Sequence, residues 1–175
     1  MMEYEVKIRV ADLGPVRARL AALGIRPEGK ATERDRYFNS PSRDFATTDE
    51  AIRIRTSGRE TTLTYKGPKV GLGGIKAREE LIAPVASAEP LGEILHRLGF
   101  PETAVVVKER ETYRVEGTSV ALDEVRGLGS FVEIEAPAGL DGREAVALIG
   151  RVRERLGIAG EETTLSYLEL ILAKR

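Results

Sequence analysis

A two-residue alternation of charged and apolar side chains constrains this chain more than any other feature of its sequence. In Glu3-Tyr4-Glu5-Val6-Lys7-Ile8-Arg9-Val10, Tyr4, Val6, Ile8 and Val10 share one side, and Glu3, Glu5, Lys7 and Arg9 the other. That is the pattern of a β-strand, whose successive side chains point to opposite faces. The pattern recurs. Arg53 and Arg55 oppose Ile52 and Ile54; Thr62, Thr64 and Lys66 oppose Leu63 and Tyr65; Lys108 and Arg110 follow at the same spacing. Ala121 and Asp123 oppose Val120 and Leu122, and Glu133 and Glu135 oppose Val132 and Ile134. Many strands therefore each carry an ionic face, and both signs of charge occur on those faces.

Read in order, the chain gives eight strands, at about 2–10, 35–38, 51–57, 61–66, 75–83, 104–115, 118–124 and 130–136. Turn signals separate several of them, among them Ser57-Gly58, Glu116-Gly117 and Gly127-Leu128-Gly129. Four helices are expected. The first, 13–23, is capped by Asp12, carries the stripe Leu13, Val16, Leu20, Leu23 and stops at Gly24. The second, 88–98, carries Leu91, Ile94, Leu95 and Leu98; the third, 142–156, carries Ala145, Leu148, Ile149, Val152 and Leu156. Ser166 and Glu169 form a capping box for a last short helix through Leu172. The order of elements repeats, which suggests one domain, 1–175, with pseudo-equivalent halves at about 1–86 and 87–175.

The strands' apolar faces must meet the amphipathic helices, so the ionic faces point away from them. Either the sheet is open and those faces are solvated, or it closes and they line a lumen. A barrel of about eight strands has an interior wide enough for side chains or one small ligand. The expectation is an α+β fold, an antiparallel eight-stranded closed barrel with helices packed outside. Pointing inward would be Lys7, Arg53, Arg55, Lys66, Lys76, Arg78, Lys108 and Arg110, with Glu3, Glu5, Glu80, Asp123, Glu133 and Glu135. Such a lumen is costly to desolvate unless its charges are neutralised. Internal ion pairs do part of this; a polyanion with metal ions would do the rest. Arg and Lys suit phosphate oxygens, and clustered carboxylates suit a hard cation such as Mg²⁺ or Mn²⁺.

Composition narrows the chemistry. At 175 residues, 42% hydrophobic and 31% charged, the chain can bury a core, and its net charge of -1 argues against nucleic acid as a partner. There is no Cys, and hence no thiol nucleophile, disulfide or zinc–thiolate site. The one His, His96, lies off the apolar stripe of its helix, so it is expected to be exposed and not catalytic. No apolar run approaches the roughly 18 residues of a membrane span, so a cytoplasmic protein is expected. The glycine-rich stretch 67–74 lacks the Gly-Lys-Ser/Thr ending of a phosphate-binding P-loop and is expected to be a flexible loop at the tunnel mouth, a lid. Asp35 fits a turn or capping role as well as a site role; Tyr37 and Phe38 read as packing.

Glu3-Tyr4-Glu5-Val6-Lys7 resembles the Glu-x-Glu-x-Lys signature of the CYTH, or triphosphate tunnel, superfamily. Other stretches resemble its later motifs in order: Asp35-Arg36-Tyr37-Phe38, Ile52-Arg53-Ile54-Arg55, Leu63-Thr64-Tyr65-Lys66-Gly67-Pro68, Arg78-Glu79-Glu80, Lys108-Glu109-Arg110, Leu122-Asp123-Glu124-Val125 and Leu128-Gly129-Ser130-Phe131-Val132-Glu133-Ile134-Glu135. The resemblance spans almost the whole chain and is closest to the class IV adenylyl cyclase branch. It implies phosphate binding by Lys7, Arg53, Lys66, Lys108 and Arg110, supported by Arg55 and Arg78. It implies Mg²⁺ or Mn²⁺ on Glu3, Glu5, Asp123, Glu133 and Glu135, with catalytic roles for Glu5, Asp123 and Glu133. The expected activity is conversion of ATP to cyclic AMP and pyrophosphate. Two alternatives use the same tunnel: a metal-dependent triphosphatase acting on thiamine triphosphate, inorganic triphosphate or a nucleotide, and a non-catalytic polyphosphate- or nucleotide-binding module. A triphosphate substrate is the expected partner, and a homodimer is compatible with the pattern.

Overall fold

The computed structural model describes residues 2–72 and 75–174. Eight antiparallel strands close on themselves: β1 (Met2–Val10), β9 (Gly129–Glu135), β8 (Thr118–Val125), β7 (Glu102–Val115), β2 (Gly29–Phe38), β3 (Ala51–Ser57), β4 (Glu60–Lys66), β6 (Ile75–Val85) and back to β1. The free edges of an open sheet are thereby removed. Two three-residue strands decorate the barrel. β5 (Val70–Leu72) pairs with the start of β6, and β10 (Glu161–Thr163) pairs with Lys7–Arg9 of β1, beyond the point where β6 leaves it.

The outward apolar residues form the main core. Val6, Ile8, Val120, Leu122, Val132 and Ile134 pack beneath α1 (Gly14–Ala22) and α4 (Gly142–Leu156). A smaller cluster joins Ile52, Ile54 and Leu63 to Leu91 and Leu95 of α3 (Ala88–Arg97). The third cluster lies on the inner side. Strand parity turns Val125 and Phe131 inward with Asp123 and Glu133, and they pack with Val106, Tyr37 and Ala51 against Tyr167, Leu168, Leu170 and Ile171. The last four belong to α5 (Tyr167–Leu172), which therefore fills one end of the barrel while α1, α3 and α4 pack outside. Ser166 and Glu169 form the expected capping box: the Glu169 N–H donates to Ser166 Oγ at 3.2 Å, and the Ser166 N–H donates to Glu169 Oε2 at 2.7 Å.

Several local readings are corrected. β2 begins at Gly29, six residues before its expected start, and so brings Glu33 into the barrel wall. A one-turn helix, α2 (Phe45–Thr48), follows Asp44, whose side chain accepts from the Ala46 N–H. Leu13 holds the N-cap position of α1, and Asp12 instead accepts from the Gly14 N–H at 2.9 Å. The stretch expected to be a flexible loop at 67–74 contains β5, because its backbone finds partners on β6; residues 73 and 74 lie outside the described residues. Tyr37 and Phe38 are buried in apolar clusters, as packing residues should be, and His96 is exposed. Among the described residues no helix is long and apolar enough to cross a membrane.

Candidate active site

Because successive strand residues alternate between faces, packing the apolar sides under the helices turns the other sides inward. They line a cavity of about 270 Å³. Eight cations reach it: Lys7 from β1, Arg53 and Arg55 from β3, Lys66 from β4, Lys76 and Arg78 from β6, Lys108 and Arg110 from β7. Five carboxylates reach it as well: Glu3, Glu5, Glu80, Glu133 and Glu135. The structure thus brings together all the residues singled out in the sequence for phosphate or metal except Asp123.

Three further carboxylates sit behind the cations, outside the cavity lining. Asp35, 1% exposed, accepts from Arg55 Nε at 2.6 Å and Nη2 at 2.7 Å and from Lys108 Nζ at 3.4 Å. Glu33 pairs with Lys108 at 2.8 Å and with Arg55 at 3.1 Å. Asp123, fully buried, accepts from Arg110 Nε at 2.7 Å and from the Tyr167 hydroxyl at 2.7 Å. Each holds a guanidinium or ammonium from the rear, a burial that is tolerable only because the groups are paired. Counting them, charge in the barrel is balanced; the surface presented to the cavity is net positive.

Internal ion pairs are present, as expected of the empty protein. Arg110 pairs with Glu133, but Arg55 and Lys108 pair chiefly with Asp35 and Glu33. Lys7 lies 2.9 Å from Glu133, Lys76 pairs closely with Glu5, and Lys66 with Glu80. Arg78 donates to the Gly67 carbonyl from Nε at 2.8 Å and to the Asp49 carbonyl at 3.1 Å, so it also ties two loops to the wall. Arg53 is the exception. It reaches Thr64 at 3.5 Å and Asp35 at 3.8 Å and shares a side-chain hydrogen bond with Tyr37, and its Nε is buried without a hydrogen-bond partner. A buried unpaired donor costs about 1–3 kcal/mol, more when charged, and an anion in the cavity would satisfy it.

The titration of these groups points the same way. Burial, reinforced by Arg53, pushes the Lys66 ammonium well below its ordinary range, and burial with Arg55 and Arg110 lowers Lys108. Anionic oxygens would reverse both shifts. Burial alone would raise the Glu5 carboxyl, yet Lys76 and Lys7 outweigh it and hold it at about 2. Glu135 behaves oppositely: burial, then the charges of Glu3 and Glu5, push it up to about 7. Glu3 Oε2 is buried with no hydrogen-bond partner. Carboxylates crowded this way fit a hard divalent cation by donor type, although no three acidic groups among the described residues stand ready-arranged around an ion.

Sequence reasoning assigned no role to Glu33 or Tyr167. Glu33 was missed because its stretch, Gly29-Lys30-Ala31-Thr32-Glu33-Arg34, has no apolar alternation. Tyr167 was missed because an aromatic in a short terminal helix reads as packing. A second chamber, of about 420 Å³, adjoins the ionic one and shares Ala51, Arg78, Ser166 and Leu168 with it. Phe38, Phe45 and Leu172 give it apolar walls.

The model of the CYTH domain family matches residues 1–166. A protein of Methanocaldococcus jannaschii, described as a "Putative adenylate cyclase", is 39% identical over 135 residues, covering 77% of each chain. Two solved structures of Pyrococcus horikoshii OT3 proteins superpose closely. One is 37% identical, covers 99% of both chains and gives a TM-score of 0.85. The other is 28% identical, covers 96% of this chain and 98% of its own, and gives 0.83.

Proposed function

This chain belongs to the CYTH domain family, and from that premise we propose that it is an adenylate cyclase, acting on ATP bound through its phosphates in the ionic cavity. The observation that carries the reading is Arg53: a charged side chain, buried and facing a net-positive cavity, whose Nε has no hydrogen-bond partner. The relative described as a "Putative adenylate cyclase" supports the choice among triphosphate chemistries. The adjoining chamber supports it too, since inorganic triphosphate alone would need no space beyond the cations.

Arg53, Lys66, Lys108 and Arg110 would bind the phosphate chain, with Lys7 at its side. Arg55 and Arg78 would hold their neighbours in place through Asp35 and the Gly67 carbonyl. Glu5 and Glu133, flanked by Glu3 and Glu135, would hold Mg²⁺ or Mn²⁺. A divalent cation there would acidify the 3′-hydroxyl and neutralise phosphoryl charge. Asp123 has its oxygens engaged by Arg110 and Tyr167, so its proposed part is to orient Arg110. In the reaction the 3′-hydroxyl gives up its proton to solvent water as its oxygen bonds to the α-phosphorus, the bond from that phosphorus to the β-bridging oxygen breaks, and pyrophosphate leaves. Lys66, Lys108 and Arg110 are preorganised for the charge that develops on it, so they need not reorient during the reaction.

Incubation of the protein with ATP and Mg²⁺ or Mn²⁺, with products separated by chromatography, tests this. Cyclic AMP and pyrophosphate in equal amounts are expected. Orthophosphate and a diphosphate would reassign the tunnel to a triphosphatase; tight ATP binding with no product would leave a binding module.

A further inference from the structure

α5 contributes more to the ionic cavity than an end plug requires. Tyr167, its first residue, is 5% exposed. Its ring lies 4.5 Å from Lys7 Nζ and 5.5 Å from Lys108 Nζ. The ring is braced edge-on by Phe131, with centroids 5.1 Å apart. Its hydroxyl donates to Asp123, whose other oxygen accepts from Arg110. One side chain thus touches two of the cavity's cations and reaches a third through a single carboxylate.

We propose that Tyr167 is a positioning residue whose ring holds Lys7 and Lys108 in place for a polyphosphate. The inference rests on the triphosphate reading above. A carboxylate beneath a lysine neutralises it by taking up a hydrogen bond and adds a negative charge that repels phosphate. An aromatic face stabilises the ammonium through its quadrupole and consumes no N–H donor. Lys7 already has Glu133 at 2.9 Å and Glu5 at 3.9 Å, and Lys108 has Glu33 at 2.8 Å and Asp35 at 3.4 Å. The ring adds support without a further acceptor, and so leaves an ammonium donor for phosphate oxygens. It also restricts two long side chains before ligand arrives, which lowers the ordering cost of binding.

The test compares Tyr167→Phe and Tyr167→Leu with the wild type, using inorganic triphosphate with Mg²⁺ as the calorimetric probe. The Phe variant keeps the ring and should bind within about three-fold of wild type. The Leu variant, equally apolar, should fold and bind about 10- to 30-fold more weakly. The lysine ε-methylene proton signals should be ring-current-shifted in the wild type and the Phe variant and return to ordinary positions in the Leu variant. A purely structural role would lower the thermal midpoint without changing the affinity of the folded fraction. A folded Leu variant with wild-type affinity, or a Phe variant as weak as Leu, overturns the inference alone. A wild type that does not bind triphosphate at all overturns the tunnel reading and this inference together. Should Tyr167→Leu fail to fold, Tyr167→Met makes the same comparison.

Discussion

Glu135 and Arg53 are the two side chains whose surroundings suit them least in the empty barrel, and each makes a prediction. In the folded protein burial and the neighbouring Glu3 and Glu5 raise the Glu135 carboxyl from the ordinary 4.5 to about 7. Between those pH values the folded state holds the proton that the unfolded chain has lost. The contribution to stability is therefore complete below about pH 4.5 and is lost as the pH rises through 7. Glu135→Gln, which mimics the protonated acid, should leave the metal-free midpoint unchanged near pH 4.5 and raise it at pH 8. Thermal unfolding at both pH values checks this, and a variant less stable than wild type at pH 8 contradicts it. Arg53 and Asp35 give a contrasting pair. Arg53 makes long contacts to Thr64 and Asp35 and leaves its Nε unpartnered, so Arg53→Gln should cost less stability than Asp35→Ala while weakening triphosphate binding by about 2 kcal/mol, the range of a charge-assisted hydrogen bond. Asp35→Ala removes the carboxylate behind Arg55 and Lys108 and should cost about 3–5 kcal/mol of stability, as other broken buried pairs do. Denaturant titration with parallel calorimetry separates the two; an Arg53 variant destabilised as much as the Asp35 variant contradicts the division.

The elements differ in how plainly their sequences declare them. β1, β3, β4, β8 and β9 are legible because one face of each packs under a helix, which forces a period of two. The same parity made the inward ionic residues legible as a set. The first half of β2 was not, since Gly29, Lys30 and Thr32 are exposed and impose no apolar rhythm. β5 and α2 are too short for periodicity and are fixed by tertiary partners. α5 was found by its capping box, but nothing in Tyr167-Leu168-Glu169-Leu170 tells an inward plug from an outer helix; that depends on the inward turn of Val125 and Phe131. β10 depends on a single atom's absence. A Cβ at Gly160 would lie 2.1 Å from the Arg9 carbonyl oxygen, against backbone that is itself paired. Gly160→Ala must push β10 off β1 and should cost about 1–3 kcal/mol, the range of an overpacked contact. Equilibrium unfolding measures it, and faster hydrogen exchange at Lys7–Arg9 should accompany it. Unchanged exchange there would mean that β1 does not need β10.

At the scale of the whole molecule, closure decides what the ionic residues cost and what they can do. On an open sheet the eight cations would be solvated, screened by salt and of little energetic consequence. Inside a closed barrel they are desolvated and paired, so simple salt reaches them poorly, while a multivalent anion that fits is opposed by little competing solvent. A ligand that binds only the folded state stabilises by RT ln(1 + [L]/Kd), about 2.7 kcal/mol at a hundred-fold excess over Kd. Inorganic triphosphate with Mg²⁺ should therefore raise the thermal midpoint by several degrees. Sodium chloride at matched ionic strength should change it little, because buried pairs are screened weakly. On the proposed reading the cation would relieve Glu3 and Glu135 while the anion would relieve Arg53 and Lys66, so triphosphate should stabilise more with Mg²⁺ than without it. A thermal-shift series crossing triphosphate with Mg²⁺ reads this directly. If the two ligands' effects merely add, the cation and the anion do not share the barrel; if sodium chloride matches triphosphate, the cations are not enclosed as the closed sheet requires.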